Sequence, residues 1–332
     1  MNRRAAVLGA GEWGTALALL LARRGAAVSL WARRAEHAAA IARARENAPY
    51  LPGVALPEGV TPTADMPRAV HAAGLIVLAI PSQSLPACLV PLAALVGREA
   101  TLVSATKGIL SDSLETMVQV IRRVVGASPD RVATLSGPSF AQEVADGLPT
   151  AIVAASEEAG TAQAVQAALG GPAFRVYAST DPLGVELGGA LKNVFAIAAG
   201  MVDGLGLGHN ARAALITRGL AEMARLGVAM GARPETLAGL AGTGDLILTC
   251  TSDLSRNRRL GMELAKGARL EEILAGGRFT AEGVGTARAA VRLAARYGIE
   301  MPIAQEVAHV LFARRSPRRA AEALMARALK FE

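Results

Sequence analysis

Aromatic residues make up only 3% of this 332-residue chain, with six Phe, three Tyr and two Trp. So few rings argue against a stacking platform for single-stranded nucleic acid. They also leave the core to Ala, Leu and Val, which favours helices packed closely on a sheet or on each other. Cysteine is scarcer still. Cys88 and Cys250 make neither a disulfide framework nor a metal-ligand set, so no metal is expected. Each reads as a small buried hydrophobe. Long apolar runs are missing too: candidates such as 196–202 are interrupted by Gly or Asp within a turn or two, short of a membrane span. The apolar stretch 5–8 after Arg3-Arg4 is too short for a signal segment. The expected location is the cytoplasm, without membrane insertion. Internal repeats and low-complexity linkers are also absent.

What is present is bulk hydrophobicity, 52% of residues against 19% charged. That suffices for a large core, and the length suits two domains. The net charge of +7 suits an anionic ligand, and nucleic acid equally. Arg314-Arg315 and Arg318-Arg319 flank Pro317 and read as solvated helix ends.

The chain has two grammars. Up to about residue 178, short apolar runs at 5–8, 27–31, 75–80, 102–106, 132–136, 151–155 and 174–177 alternate with helical patterns. This predicts an α/β domain of the Rossmann type, with a doubly wound, largely parallel sheet. From Asp181-Pro182, a cap followed by a first-turn proline, helical periodicity runs on through 183–200, 212–230, 257–266, 286–297, 303–313 and 318–328. The expected organisation is therefore a dinucleotide-binding domain over 1–178 and an all-helical substrate domain over 179–332.

The first apolar run leads into Gly9-Ala10-Gly11-Glu12-Trp13-Gly14 and then a helix from Thr15. Gly-x-Gly-x-x-Gly in this place is a dinucleotide fingerprint. Gly9 permits the tight turn, Gly11 leaves room for the pyrophosphate, and Gly14 lets helix and strand approach. The helix N-terminus supplies amides and a positive dipole end. After the second run an NAD site usually carries a carboxylate for the ribose 2′-hydroxyl. Here Arg33-Arg34 follow, and Glu36 falls on the next helix. Two guanidiniums suit a 2′-phosphate, so NADPH is expected to be preferred, with NADH possible.

Carbonyl reduction also needs a proton and positive charge near the developing alkoxide. None of His37, His71, His209 and His309 sits in a motif with a mechanism. Lys107 follows the run 102–106 at the carboxyl end of a parallel strand, where ligands bind. Lys192 lies in the small-residue helix Gly188-Gly189-Ala190-Leu191-Lys192-Asn193. Burial there makes it a usable acid; snorkelling to solvent is the alternative.

Taken with Ala-Thr-Lys-Gly (105–108), Ser-Gly-Pro-Ser-Phe-Ala-x-Glu (136–143), Leu-Pro-Thr-Ala (148–151), Asn-Ala-Arg-Ala-Ala-Leu-Ile-Thr-Arg-Gly (210–219), Gly-x-Gly-Asp-Leu-x-Leu-Thr-Cys (242–250), Ser-Arg-Asn-Arg-Arg (255–259) and Glu-Gly (282–283), these motifs span nearly the whole chain. In this order they resemble the bacterial-type NAD(P)-dependent glycerol-3-phosphate dehydrogenases. The resemblance implies interconversion of dihydroxyacetone phosphate and sn-glycerol 3-phosphate for phospholipid synthesis, by a homodimer. It implies Lys192 as proton donor and acceptor, with Asn193, Asp245 and Thr249 around the substrate oxygens. Lys107 is implied at both substrate and cofactor, Gly137 and Ser139 at the substrate, and Ala141 at the cofactor. Ser255, Arg256 and Asn257 are implied at the substrate phosphate, with Arg256 also near the cofactor. Glu12, Trp13, Arg33 and Glu282 are implied along the dinucleotide. The residues themselves agree in part: Ser255-Arg256-Asn257 at a helix start is good phosphate chemistry, while Arg258 and Arg259 read as a solvated face. Two positions depart from the family pattern. Glu12 stands where a small polar residue is common, and its carboxylate must turn outward. Ala281 stands where a larger apolar residue is common.

Two other classes compete. A different two-domain dehydrogenase shares only the fingerprint and has no use for a phosphate cluster at 255–257. A dinucleotide sensor or nucleic-acid binder leaves Lys192 and Asp245 without a role.

Overall fold

The computed structural model describes residues 4–275 and 281–328. The chain forms two compact units. Residues up to Lys107 together with Glu115–Glu186 make one; Gly108–Leu114 together with the residues from Leu187 onward make the other.

The first unit is built on β1 (Arg4–Leu8), β2 (Ala27–Trp31), β3 (Glu46–Asn47), β4 (Leu51–Ala55), β5 (Val60–Thr63), β6 (Leu75–Leu78), β7 (Thr101–Ser104), β8 (Val132–Ser136), β9 (Thr150–Ala155) and β10 (Phe174–Ser179). Its helices are α1 (Glu12–Arg23), α2 (Ala35–Ala44), α3 (Met66–Val70), α4 (Leu85–Ala93), α5 (Met117–Val125), α6 (Ala141–Ala145) and α7 (Ala159–Leu169). Eight strands form one sheet in the order β10-β9-β8-β7-β6-β1-β2-β5, parallel except between β8 and β9. The chain winds outward from β1 to β2 and β5, then returns to the other side of β1 as β6. Ligands bind at such a reversal point. The largely parallel sheet predicted from alternation is therefore observed. The central strands β1, β6, β7 and β8 are buried along nearly their whole length, β6 and β8 completely, as expected of a sheet covered on both faces.

Two features differ from the sequence reading. The first helix begins at Glu12, three residues early, so Gly14 lies inside it. The small antiparallel hairpin β3–β4 and the edge strand β5 have no counterpart among the apolar runs.

The helical unit contains α8 (Pro182–Gly204), which starts in the first unit, followed by α9 (Gly208–Ala229), α10 (Pro234–Ala238), α11 (Asp245–Thr251) and α12 (Arg256–Ala265). Then come α13 (Leu270–Ala275), α14 (Glu282–Tyr297), α15 (Pro302–Phe312) and α16 (Pro317–Met325). The predicted cap at Asp181 is made, and Ser316 before Pro317 caps α16 in the same way. Asp181 accepts from the Gly184 amide at 2.8 Å, and Ser316 from the Arg319 amide at 3.3 Å. The expectation that no stretch has membrane-span character is corrected: α8 is long and apolar enough to span a membrane, but its apolar stretch is wholly buried. It is a core helix.

Each unit contains a buried glutamate that caps another helix. Glu186 on α8 accepts from the Val118 amide at the start of α5, and its Oε2 has no partner among the described residues. Glu222 on α9 accepts from the Ile303 and Ala304 amides at 2.8 and 3.2 Å, capping α15. Burial pushes the Glu222 carboxyl up to about 7 from its ordinary 4.5, against the pull of those amides and of Arg225 and Arg327. The folded chain therefore holds this proton where the unfolded chain has lost it. The stability it contributes is complete below pH 4.5 and lost as pH rises through 7, a swing of about 3 kcal/mol. Glu222→Gln is expected to remove that swing. Urea melts of both proteins at pH 5 and pH 8 check it; identical pH dependences would refute it.

Candidate active site

The strand–helix turn of the first unit holds three glycines for two different reasons. Gly9 has φ +118°, and a Cβ there would lie 2.2 Å from the Ala79 carbonyl oxygen just past β6. A Cβ on Gly14 would lie 1.8 Å from the Gly9 oxygen. The protein itself forbids side chains at both. At Gly11 a Cβ would meet nothing within 4 Å, so its bareness serves space that the protein leaves open. Gly11 is the N-cap of α1 and supplies no side-chain cap, leaving first-turn amides without an intrahelical partner. Trp13 Nε1 is also buried and unpartnered among the described residues. An open, amide-lined helix start with a spare donor fits a dinucleotide pyrophosphate. Glu12 occupies the first turn and is partly exposed; a carboxylate there favours the helix dipole and opposes an anion.

Past β2, Arg33 and Arg34 are exposed, with no carboxylate partner among the described residues. Arg34 is the N-cap of α2, and Glu36 lies in its first turn. Lys107 follows β7, and its Nζ donates to the Gly137 carbonyl at 2.8 Å. Ser139 Oγ donates to the same oxygen at 3.0 Å. Gly137 has φ +141°, and a Cβ there would come within 2.9 Å of Ile152 Cα. Its carbonyl is thus a rigid acceptor that gathers Lys107 and Ser139, with Ala141 buried at the start of α6.

In the helical unit Lys192 turns inward. It is 7% exposed, and Nζ donates to Asp245 Oδ1 at 2.9 Å and to Thr249 Oγ1 at 2.7 Å. Thr249 donates in turn to the same carboxylate oxygen at 3.2 Å. Asp245 and Thr249 stand one turn apart on α11, so both reach the same ammonium. Asn193 Oδ1 accepts from Asn257 Nδ2 at 2.9 Å, and Asn257 Oδ1 accepts from the Gly283 amide at 3.1 Å, next to Glu282. Ser255 caps α12 by accepting from the Arg258 amide at 3.2 Å. Ala281 is the N-cap of α14 and offers no side-chain cap.

Glycines let these helices touch. A Cβ on Gly188 would lie 2.5 Å from the Ala241 oxygen, in the π-helical turn Leu240–Gly244 that leads into α11. A Cβ on Gly200 would lie 1.9 Å from the Arg258 oxygen, and one on Gly261 would lie 2.0 Å from the Ile197 oxygen. Backbone contact thus fixes where α11 presents Asp245 and where α12 presents Ser255 to Asn257.

Arg258 corrects a sequence reading. It is buried rather than solvated, because Asp203 accepts from its Nη2 at 2.7 Å and Asp253 accepts from its Nη1. Its charge is committed. Arg256, exposed and without a carboxylate partner among the described residues, is the cation left at the start of α12. Arg259 is exposed as expected. Cys250, beside Thr249, is no nucleophile: burial pushes its thiol up to about 12. Sequence reasoning also missed Asn47, which is fully buried under the glycine turn. Its only sequence signal is the turn-rich Pro49-Tyr50-Leu51-Pro52-Gly53 that follows.

Comparison with known proteins covers both units. A family model described as NAD-dependent glycerol-3-phosphate dehydrogenase N-terminus matches residues 4–162, and one for the C-terminus matches 181–322. A relative from Geobacter sulfurreducens called glycerol-3-phosphate dehydrogenase [NAD(P)+] is 53% identical over all of this chain and 99% of its own length. One from Moorella thermoacetica with the same name is 52% identical over 94% and 92%. The crystal structure of glycerol-3-phosphate dehydrogenase from Coxiella burnetii superposes with a TM-score of 0.93 at 40% identity, covering 98% of this chain and 99% of that one.

Proposed function

The chain belongs to the NAD-dependent glycerol-3-phosphate dehydrogenases, and on that premise we propose how its own residues divide the family's reaction. It interconverts dihydroxyacetone phosphate and sn-glycerol 3-phosphate with NAD(P)H. When bound, the cofactor supplies the hydride. The chain must hold the substrate phosphate, deliver a proton to the carbonyl oxygen and stabilise the charge that develops there.

Lys192 is the proton donor in reduction and the acceptor in oxidation. The observation that carries this is the buried pair Lys192–Asp245 at 2.9 Å, tied by Thr249. A buried lysine held by a carboxylate and a hydroxyl stays aimed at one point, whereas a snorkelling lysine sends its charged head out to solvent. Asn193, beside it on α8, lines the substrate oxygens. Ser255, Arg256 and Asn257 hold the phosphate at the start of α12, where amides and a guanidinium act together. In the first unit, Gly9, Gly11, Glu12, Trp13 and Gly14 form the pyrophosphate seat, and Glu12 contributes backbone only. Arg33 and Arg34 receive the 2′-phosphate, which makes NADPH the preferred form. Lys107, Gly137, Ser139, Ala141 and Glu282 serve as the resemblance implies. The same reading makes the protein a cytoplasmic homodimer that feeds glycerophospholipid synthesis.

The test is NADPH oxidation with dihydroxyacetone phosphate, with NADH in parallel and unphosphorylated dihydroxyacetone as control. Rapid turnover of the phosphate ester alone is expected. Arg33→Ala should raise the KM for NADPH about tenfold and leave that for NADH nearly unchanged, as loss of a charge-assisted bond requires. A wild-type protein that favours NADH by that margin would sink the role of Arg33.

A further inference from the structure

We propose that Asn47, outside the glycine fingerprint, is a positioning residue that sets the shape of the dinucleotide seat through a one-way chain of hydrogen bonds. Asn47 ends β3 and is fully buried. Its Nδ2 donates to the Ala10 carbonyl at 3.1 Å and to Thr15 Oγ1 at 2.7 Å. Its Oδ1 faces His37 Nε2 at 2.9 Å. Thr15 Oγ1 donates in turn to the Gly11 carbonyl at 2.7 Å.

Counting hydrogens fixes every direction in this chain. A side-chain amide has two N–H groups, and both are spent on Ala10 and Thr15. The atom facing His37 is therefore the oxygen, so His37 carries hydrogen on Nε2. Thr15 has one hydroxyl hydrogen, spent on Gly11, so it accepts from Asn47. Flipping the amide would set Oδ1 against the Ala10 carbonyl, acceptor against acceptor. The order is His37 to Asn47 to Thr15 to Gly11, with a branch to Ala10.

The two ends of this brace straddle Gly11. Ala10 is the last residue on the strand side, and Thr15 lies in the first turn of α1. Asn47 therefore sets both how the chain leaves β1 and how α1 begins, on either side of the space a Gly11 side chain would enter. His37 lies on α2, four residues beyond Arg33, and its ring is 5.3 Å from that of Tyr50. The helix that begins directly after the two exposed arginines is thus tied to the glycine turn through one amide.

This proposal rests on the reading of that turn as the dinucleotide seat. The test measures NADPH Kd by calorimetry, KM and kcat with dihydroxyacetone phosphate, and the unliganded melting temperature. The variants are Asn47→Ala, Thr15→Val and His37→Gln. Asn47→Ala and Thr15→Val are expected to raise Kd and KM for NADPH about tenfold, leaving kcat at saturation and the KM for dihydroxyacetone phosphate near wild type. His37→Gln retains an N–H for Asn47 Oδ1 and should stay within about threefold of wild type. Thr15→Val keeps its shape, so it reports even if Asn47→Ala fails to fold. If folded Asn47→Ala or Thr15→Val melts lower yet binds NADPH within about twofold of wild type, Asn47 is only structural and the proposal falls. Wild-type protein that fails to bind NADPH overturns the seat itself, and the brace with it.

Discussion

Lys192→Ala is expected to lower kcat about 10³-fold while NADPH still binds, the loss typical of removing a positioned general acid. The single variant has a confounding effect. Asp245 is 1% exposed, and removing Lys192 takes the positive partner from a buried carboxylate while the bond from the Thr249 hydroxyl remains. Breaking a buried pair in this way costs about 3–5 kcal/mol of stability. The double variant Lys192→Met with Asp245→Asn separates the two effects. It removes both charges and nearly preserves volume, so the melting temperature should recover towards wild type. Activity should not recover, because neither residue then carries a transferable proton at that point. Stopped-flow NADPH oxidation alongside thermal melts reads both. A double variant within about tenfold of the wild-type kcat would show that the pair is structural and the acid lies elsewhere.

What could be read from the sequence follows from how far each feature reaches along the chain. β6 was legible because both of its faces are covered, which makes Leu75-Ile76-Val77-Leu78 an unbroken apolar run. The start of α8 was legible because Asp181 and Pro182 do their work within three residues. The glycine fingerprint was legible for the same local reason. Asn47 was not, because β3 has two residues and no periodicity, and its partners Thr15 and Ala10 lie 32 and 37 positions away. Arg258 misled in the same way: Arg258-Arg259 reads as a solvated pair, and Asp203, 55 positions away, joins Asp253 in compensating its buried charge. Residues 240–244 lie outside the helical runs read from periodicity, which pass from 212–230 to 257–266. They form a π-helical turn whose backbone lies against Gly188, and Gly242 marks close approach, since a Cβ there would lie 1.9 Å from the Leu237 oxygen. Lys192 was the intermediate case. Its apolar helix pointed to burial, but the carboxylate that decides the matter sits 53 positions downstream.

Gly261→Ala is expected to be a strongly damaging single-methyl change in the helical unit. Helix propensity alone predicts the opposite sign, since alanine in a helix interior is favoured over glycine by about 1 kcal/mol. The surroundings reverse it. The added Cβ would lie 2.0 Å from the Ile197 carbonyl oxygen and 2.9 Å from the Met201 amide nitrogen. These are backbone atoms of α8 and cannot rotate away. The two helices must therefore separate, at the 1–3 kcal/mol or more typical of overpacking. The separation acts on α12, whose first turn carries Ser255, Arg256 and Asn257. The KM for dihydroxyacetone phosphate should rise about tenfold, with the Kd for NADPH measured alone changed less and the melting temperature of the unit lowered. Gly160→Ala is the matched control. It is also a helical glycine, on α7, but a Cβ there would meet nothing within 4 Å, so it should be neutral or slightly stabilising. If the two variants melted alike and bound substrate alike, α8 and α12 would be free to drift apart. The phosphate seat could then not owe its position to glycine contact.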